Sequence, residues 1–148
     1  AAGTPAGMVA GQVADMEGAE GATLDAVRWI HERKTAALLR ASVLLGGMAA
    51  NAGAAQMAAL AQFGHSAGLA FQIADDLLDR SASSAELGKT AGKDAAQAKA
   101  TYPGVLGAAG ARAEAQRRVD EAEAALAGWG PAAERLRALA RFTLGRRR

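Results

Sequence analysis

Residues 68–80 read GLAFQIADDLLDR, and the placing of their three aspartates decides the fold. At about 100° per residue, Phe71, Gln72, Asp75, Asp76 and Asp79 fall in a stripe roughly 140° wide. Leu69, Ala70, Ile73, Ala74, Leu77 and Leu78 fill the rest of the circumference. A helix that is apolar on most sides belongs inside an all-helical core. Its acidic stripe must then face a cavity, because unpaired buried charge is too costly. Three carboxylates at i, i+1 and i+4 repel one another, so at least one holds its proton unless a cation joins them. Oxygen ligands without His or Cys beside them suit a hard cation such as Mg2+. Asp75 and Asp79 lie about 40° apart and Asp76 about 100° from Asp75. Asp75 with Asp79 should therefore grip one ion, and Asp76 should play the lesser, outer part. The alternative is a solvated acidic face. The stretch before the aspartates opposes it, since residues 41–74 contain no Asp, Glu, Lys or Arg.

That uncharged run raises the question of a membrane span. Asn51, Gln56, Gln62 and His65 interrupt it, and Ala and Gly outnumber Leu and Ile. Two buried helices broken near residues 46–53 fit better than one span of about 20 apolar residues. The 148 residues suffice for one domain with a core. Absent cysteine excludes a disulfide framework, a thiolate metal site and a Cys nucleophile, and fits a reducing cytoplasm. Net charge is only +2, with a basic end at Arg146, Arg147 and Arg148. Balanced charge, few aromatics and no recognition motif argue against nucleic-acid binding. The start lacks a basic secretory n-region and an initiator Met, and reads as mid-helix.

The remaining elements also read as helices. The first covers about residues 4–17. Thr23 caps a second that runs unbroken to about Gly46, with Asp25 in its first turn. A third covers about 50–80, followed by a long polar segment. Another begins near Thr101 with Pro103 in its first turn. A charged amphipathic helix follows over about 110–127, and Pro131 opens the last. The expectation is an all-α bundle with a cavity between helices. Lys34 and Thr35 sit in mid-helix among apolar residues, and Lys89, Lys93 and Lys99 follow the aspartates. Lysines beside acid-bound Mg2+ suit a diphosphate. GKTAGK is not a P-loop, because the spacing is wrong and no strand precedes it.

Four motifs together resemble the trans-isoprenyl diphosphate synthases. GLAFQIADDLLD resembles their second aspartate-rich motif, and ELGKTAGKDAAQAKATYPGVLG the segment after it. HERKTAALLRAS is similar to their lysine-threonine helix, and GMVAGQVADM to their GQ-containing helix. The order and spacing match, the resemblance runs through the whole chain, and its nearest flavour is a bacterial farnesyl or geranylgeranyl diphosphate synthase. It implies the isoprenoid-synthase type of bundle and head-to-tail transfer from an allylic diphosphate to isopentenyl diphosphate. It implies Mg2+ held by Asp75, Asp76 and Asp79, with Asp94 an outer helper. Lys34, Lys89 and Lys99 would bind diphosphate. Phe71 and Gln72 would line the site. Thr35 and Gln12 would turn oxygen dipoles to the cation, Asp15 would orient Lys34, and the terminal arginines would close over isopentenyl diphosphate. For Gln12 and Asp15 a buried polar pair in helix packing is the alternative, and for the arginines a disordered tail.

The family's first aspartate-rich motif is absent. Residues 1–148 therefore read as the C-terminal half of a polyprenyl synthetase domain, whose partner is the N-terminal half. The resemblance also implies a homodimer. A non-catalytic subunit that modulates a complete synthase is the alternative reading.

Overall fold

The structure, a computed structural model, describes residues 2–18, 22–86 and 100–146, without the side chains of 82–86. Every regular element among them is helical. In order they are α1 (Met8–Glu17), α2 (Leu24–His31), a π-helical turn (Glu32–Ala36), α3 (Ala37–Ala49), α4 (Ala54–Glu86), α5 (Tyr102–Ala125), a 3-10 segment (Ala127–Ala133) and α6 (Glu134–Gly145). The all-α expectation holds. No helix of the described residues is long and apolar enough to cross a membrane.

α4 is the axis of the bundle. Phe63, Leu69, Ala70 and Ile73 are fully or almost fully buried, so the helix is enclosed on most sides, as its composition requires. One end of the core joins Leu60, Phe63, Ala67 and Ala70 to Val119 and Ala122 of α5, to Leu126 just past its end and to Ala140 of α6. The other joins Ile73 to Val27 and Ile30 of α2 and to Tyr102, Ala111 and Ala115 of α5. Ser66 and Arg118 are buried between them and share Glu121, at 3.3 and 3.2 Å. Sharing one carboxylate satisfies polar groups that could not be buried alone.

The helix ends follow local chemistry. Thr23 accepts a hydrogen bond from Ala26 N, and Thr101 one from Gly104 N. α3 stops where Ala52 N bonds Gly47 O and Asn51 enters the left-handed region at φ 53°, which asparagine tolerates.

Several expected boundaries move. Residues 2–7 form turns rather than helix, and α4 starts at Ala54 and persists to Glu86, so the polar segment begins later than composition suggests. The two helices expected after Thr101 are one element kinked at Gly107, where φ is 70° and ψ 169°. Pro131 lies inside the 3-10 segment, not at the start of α6. The largest departure is in the second helix. It is interrupted by the π turn, in which Ala37 N–H reaches Glu32 O five residues back.

Candidate active site

Lys34 and Thr35 sit on the π turn. Such turns insert a residue into a helix and re-aim the side chains around it. α1 and α4 hold the turn at very short range. A Cβ on Gly11 would lie 2.4 Å from Lys34 N, and one on Gly68 would lie 2.5 Å from Ala36 Cα. Only glycine allows these approaches.

On the α1 side, Lys34 Nζ is 2.6 Å from Asp15 Oδ2, with Asp15 largely buried. On the α4 side, Thr35 Oγ1 donates to Gln72 Oε1 at 2.6 Å, and Gln72 Nε2 donates to Asp76 Oδ1 at 3.0 Å. Because the Thr35 hydroxyl gives its proton to Gln72, its lone pairs remain available to a positive centre.

The three aspartates have different surroundings. The side chain of Asp76 is 8% exposed and that of Asp75 46%. Asp79 is exposed. Asp76 Oδ2 accepts from Tyr102 N at 3.4 Å and lies 3.5 Å from His31 Nε2. Burial pushes the Asp76 carboxyl up to about 7, against the pull of the Gln72 and Tyr102 hydrogen bonds and Lys34. Burial likewise pushes His31 down to about 4, opposed by the charge of Asp15. Both directions favour neutral forms, so His31–Asp76 is a neutral buried contact and not an ion pair over much of the acid range. What sets Asp76 apart is these surroundings. Its two oxygens are already used within the protein. The stripe is therefore not three equivalent carboxylates.

Phe71 is half-buried, with the Arg146 guanidinium 4.1 Å from its ring centre. Arg146 Nη2 is 3.8 Å from Asp75 Oδ1, so this arginine stands beside the aspartates. Gln12 does not join the cluster. It is exposed on α1, with no hydrogen bond among the described residues, so it forms no buried polar pair with Asp15. Lys89, Lys93, Asp94, Lys99, Arg147 and Arg148 lie outside the described residues.

Sequence reasoning missed His31 and Tyr102. Their rings lie 5.2 Å apart beneath Asp76. The available signal was His31 three residues before Lys34, and Tyr102 inside the TYPG capping sequence.

Among the described residues no three His, Asp or Glu side chains converge into a metal cage. The donors nevertheless fit Mg2+. Asp75 and Asp79 offer hard oxygens on one accessible face, and Mg2+ takes one or two carboxylates, keeps several waters and shares phosphate oxygens.

The polyprenyl synthetase family model matches residues 3–126. A chloroplastic geranylgeranyl pyrophosphate synthase of Catharanthus roseus is 46% identical over 127 residues, which are 84% of this chain and 36% of that protein. The farnesyl diphosphate synthase of Escherichia coli K12 is 44% identical over 124 residues, 82% of this chain and 41% of that one. The chain thus spans well under half the length of these relatives. Among solved structures, an FPP/GFPP synthase from Zymomonas mobilis superposes with a TM-score of 0.78 at 34% identity, covering 96% of this chain and 47% of that one. A Helicobacter pylori geranyltransferase, complexed with magnesium and isoprenyl diphosphate, gives a TM-score of 0.70 at 32% identity, covering 94% and 46%. Sequence, helix order and the aspartate helix agree: the chain belongs to the polyprenyl synthetase family.

Proposed function

We propose that residues 1–148 supply the second-aspartate half of an active site for Mg2+-dependent head-to-tail prenyl transfer. The observation that carries this reading is the run Lys34–Thr35–Gln72–Asp76–Asp75. It sets an ammonium group, neutral oxygen dipoles and carboxylates side by side across the π turn and α4.

Asp75 and Asp79 hold the ion, and Asp76 fixes the helix from behind. Mg2+, when bound, supplies the positive charge that draws diphosphate off an allylic substrate. Lys34 neutralises a diphosphate oxygen, with Lys89 and Lys99 as further ligands. Asp15 holds the Lys34 ammonium in place beforehand, which spares the entropy of ordering a long side chain. Thr35, Gln72 and the face of Phe71 line the path of the allylic cation, where fixed oxygen dipoles and the aromatic quadrupole lower its energy. The double bond of isopentenyl diphosphate then attacks, and a proton leaves the adduct.

Catalysis needs the facing half with the first aspartate-rich motif. Exposed Val9, Val13 and Met16 repeat along one face of α1 and suit burial against such a half or against a second copy in a homodimer. The proposed setting is the cytoplasm.

The test is complementation. The 148-residue chain should give no prenyl transfer from geranyl diphosphate with isopentenyl diphosphate, and adding a segment that bears the first motif should restore it. Turnover by the chain alone, or none after complementation, overturns the reading. A change in rate only when a complete synthase is present would mark a modulating subunit instead.

A further inference from the structure

A cavity of about 370 Å3 opens between α4, α5 and the end of α6. Its α4 wall is Ala74, Leu77, Leu78 and Ser81, centred about 130° round the helix from Asp75 and Asp79. It is therefore not the aspartate face. Leu144 closes it on the α6 side, and Arg112, Gln116 and Arg146 supply its polar groups. Among the described residues no carboxylate lines it. The volume lies within the range of small-molecule sites, about 300–1,000 Å3.

The two arginines are what make this cavity more than a gap in packing. Arg112 makes no hydrogen bond or ion pair among the described residues. Arg146 Nε and Nη2 are buried and have no hydrogen-bond acceptor among the described residues. The nearest carboxylate, Asp75, is 3.8 Å away, beyond hydrogen-bond reach. A guanidinium with buried donors left unpaired pays most of its dehydration without return. Stacking on Phe71 nonetheless fixes it in position. A planar fork held ready beside a second cation is how proteins meet phosphate or carboxylate oxygens. The leucine wall opposite asks for hydrocarbon.

The geometry points to a second ligand site here, for an amphiphilic anion with an oxyanion head on Arg112 and Arg146 and an apolar tail along Leu77, Leu78 and Leu144. The assignment does not depend on the proposed prenyl transfer. Arg146 stands at the border of both sites, so a head group on it would also draw positive charge from beside Asp75.

The experiment is calorimetric titration of the full 148-residue chain in EDTA, which silences any metal-mediated binding at the aspartates. The probes are octyl phosphate below its micelle concentration, inorganic phosphate and octanol. Octyl phosphate should bind at least roughly tenfold more tightly than either of the others, since it alone satisfies both halves of the cavity. Arg112→Gln and Arg146→Gln should each weaken it by roughly tenfold, the loss of a charge-assisted hydrogen bond. Arg112 is exposed, so its variant keeps the fold, which circular dichroism checks. The methyl resonances of Leu77, Leu78 and Leu144 should shift on binding. No binding in EDTA, affinity unchanged by both substitutions, or shifts confined to other methyl groups would overturn the assignment.

Discussion

Asp76 and Asp75 are neighbours in sequence and opposites in physics. Removing Asp76 strands the Gln72 amide and Tyr102 N–H inside the protein, which costs about 1–3 kcal/mol. Removing Asp75 relieves only a partly exposed contact with Arg146, worth about 1 kcal/mol or less. Asp75→Ala should therefore keep its melting temperature while losing about two orders of magnitude in kcat in the complemented enzyme. Asp76→Ala should show a clear fall in melting temperature, and scanning calorimetry with steady-state kinetics separates the two. The pair with His31 gives a second test. Asp76 titrates near 7 folded against 3.8 unfolded, so the stability it lends is complete below about pH 4 and lost as pH rises through 7. His31 titrates near 4 folded against 6.5 unfolded, so its contribution is complete above about pH 6.5 and lost as pH falls towards 4. Between pH 6.5 and 4.5 the slopes oppose. Burial lowers His65 as well, which adds a decline on acidification to both proteins, so thermal melts in EDTA should fall with acidification more steeply for Asp76→Asn than for the native chain. Equal declines would show that Asp76 does not hold a proton in the fold. None of this is legible in the sequence. Spacing marks an acidic stripe, but which carboxylate is dehydrated depends on Tyr102, 26 residues further on.

At the scale of elements, the reading from sequence succeeded where periodicity is long and failed where backbone geometry is local. The composition of α4 determines its burial, and the capping threonines determine where α2 and α5 begin. The π turn leaves no such trace, because HERKTAALL has an unbroken helical pattern. What surrounds it is tertiary: α1 and α4 approach it closely at Gly11 and Gly68. A Cβ on Gly64 would lie 2.6 Å from Arg40 Cα, one turn earlier on α4 than the contact of Gly68 with Ala36. Gly68→Ala should separate α4 from the turn, lengthen the Thr35–Gln72 hydrogen bond and cost about 1–3 kcal/mol. Alanine at Gly46, where nothing lies within 4 Å, is the control and should be neutral or slightly stabilising, as expected for glycine inside α3. Denaturant midpoints for the two variants decide this, and similar losses would mean that the close approach is not what glycine serves at position 68.

The whole molecule carries apolar faces that its own core leaves uncovered. Met16 is 77% exposed, Leu45 65% and Phe142 61%. The chain spans 36% and 41% of the two curated relatives compared above. If the α1 face seats the other half, Val13→Glu should abolish complementation while leaving the melting temperature of the isolated chain within about 1 kcal/mol of native, because Val13 is exposed here. Analytical ultracentrifugation of the mixed halves reads the loss directly. The layout has a further consequence for breathing. α1 packs chiefly on the π turn and α2, whereas α4 is braced by α3, α5 and α6. Local opening should therefore peel α1 away long before the bundle melts. Its amides should exchange with deuterium far faster than those of residues 63–74. Each excursion carries Asp15 off with it and leaves the Lys34 ammonium momentarily without its counter-charge, so the affinity of this lysine for an anion fluctuates with the fraying of a helix other than the one that carries Asp75, Asp76 and Asp79.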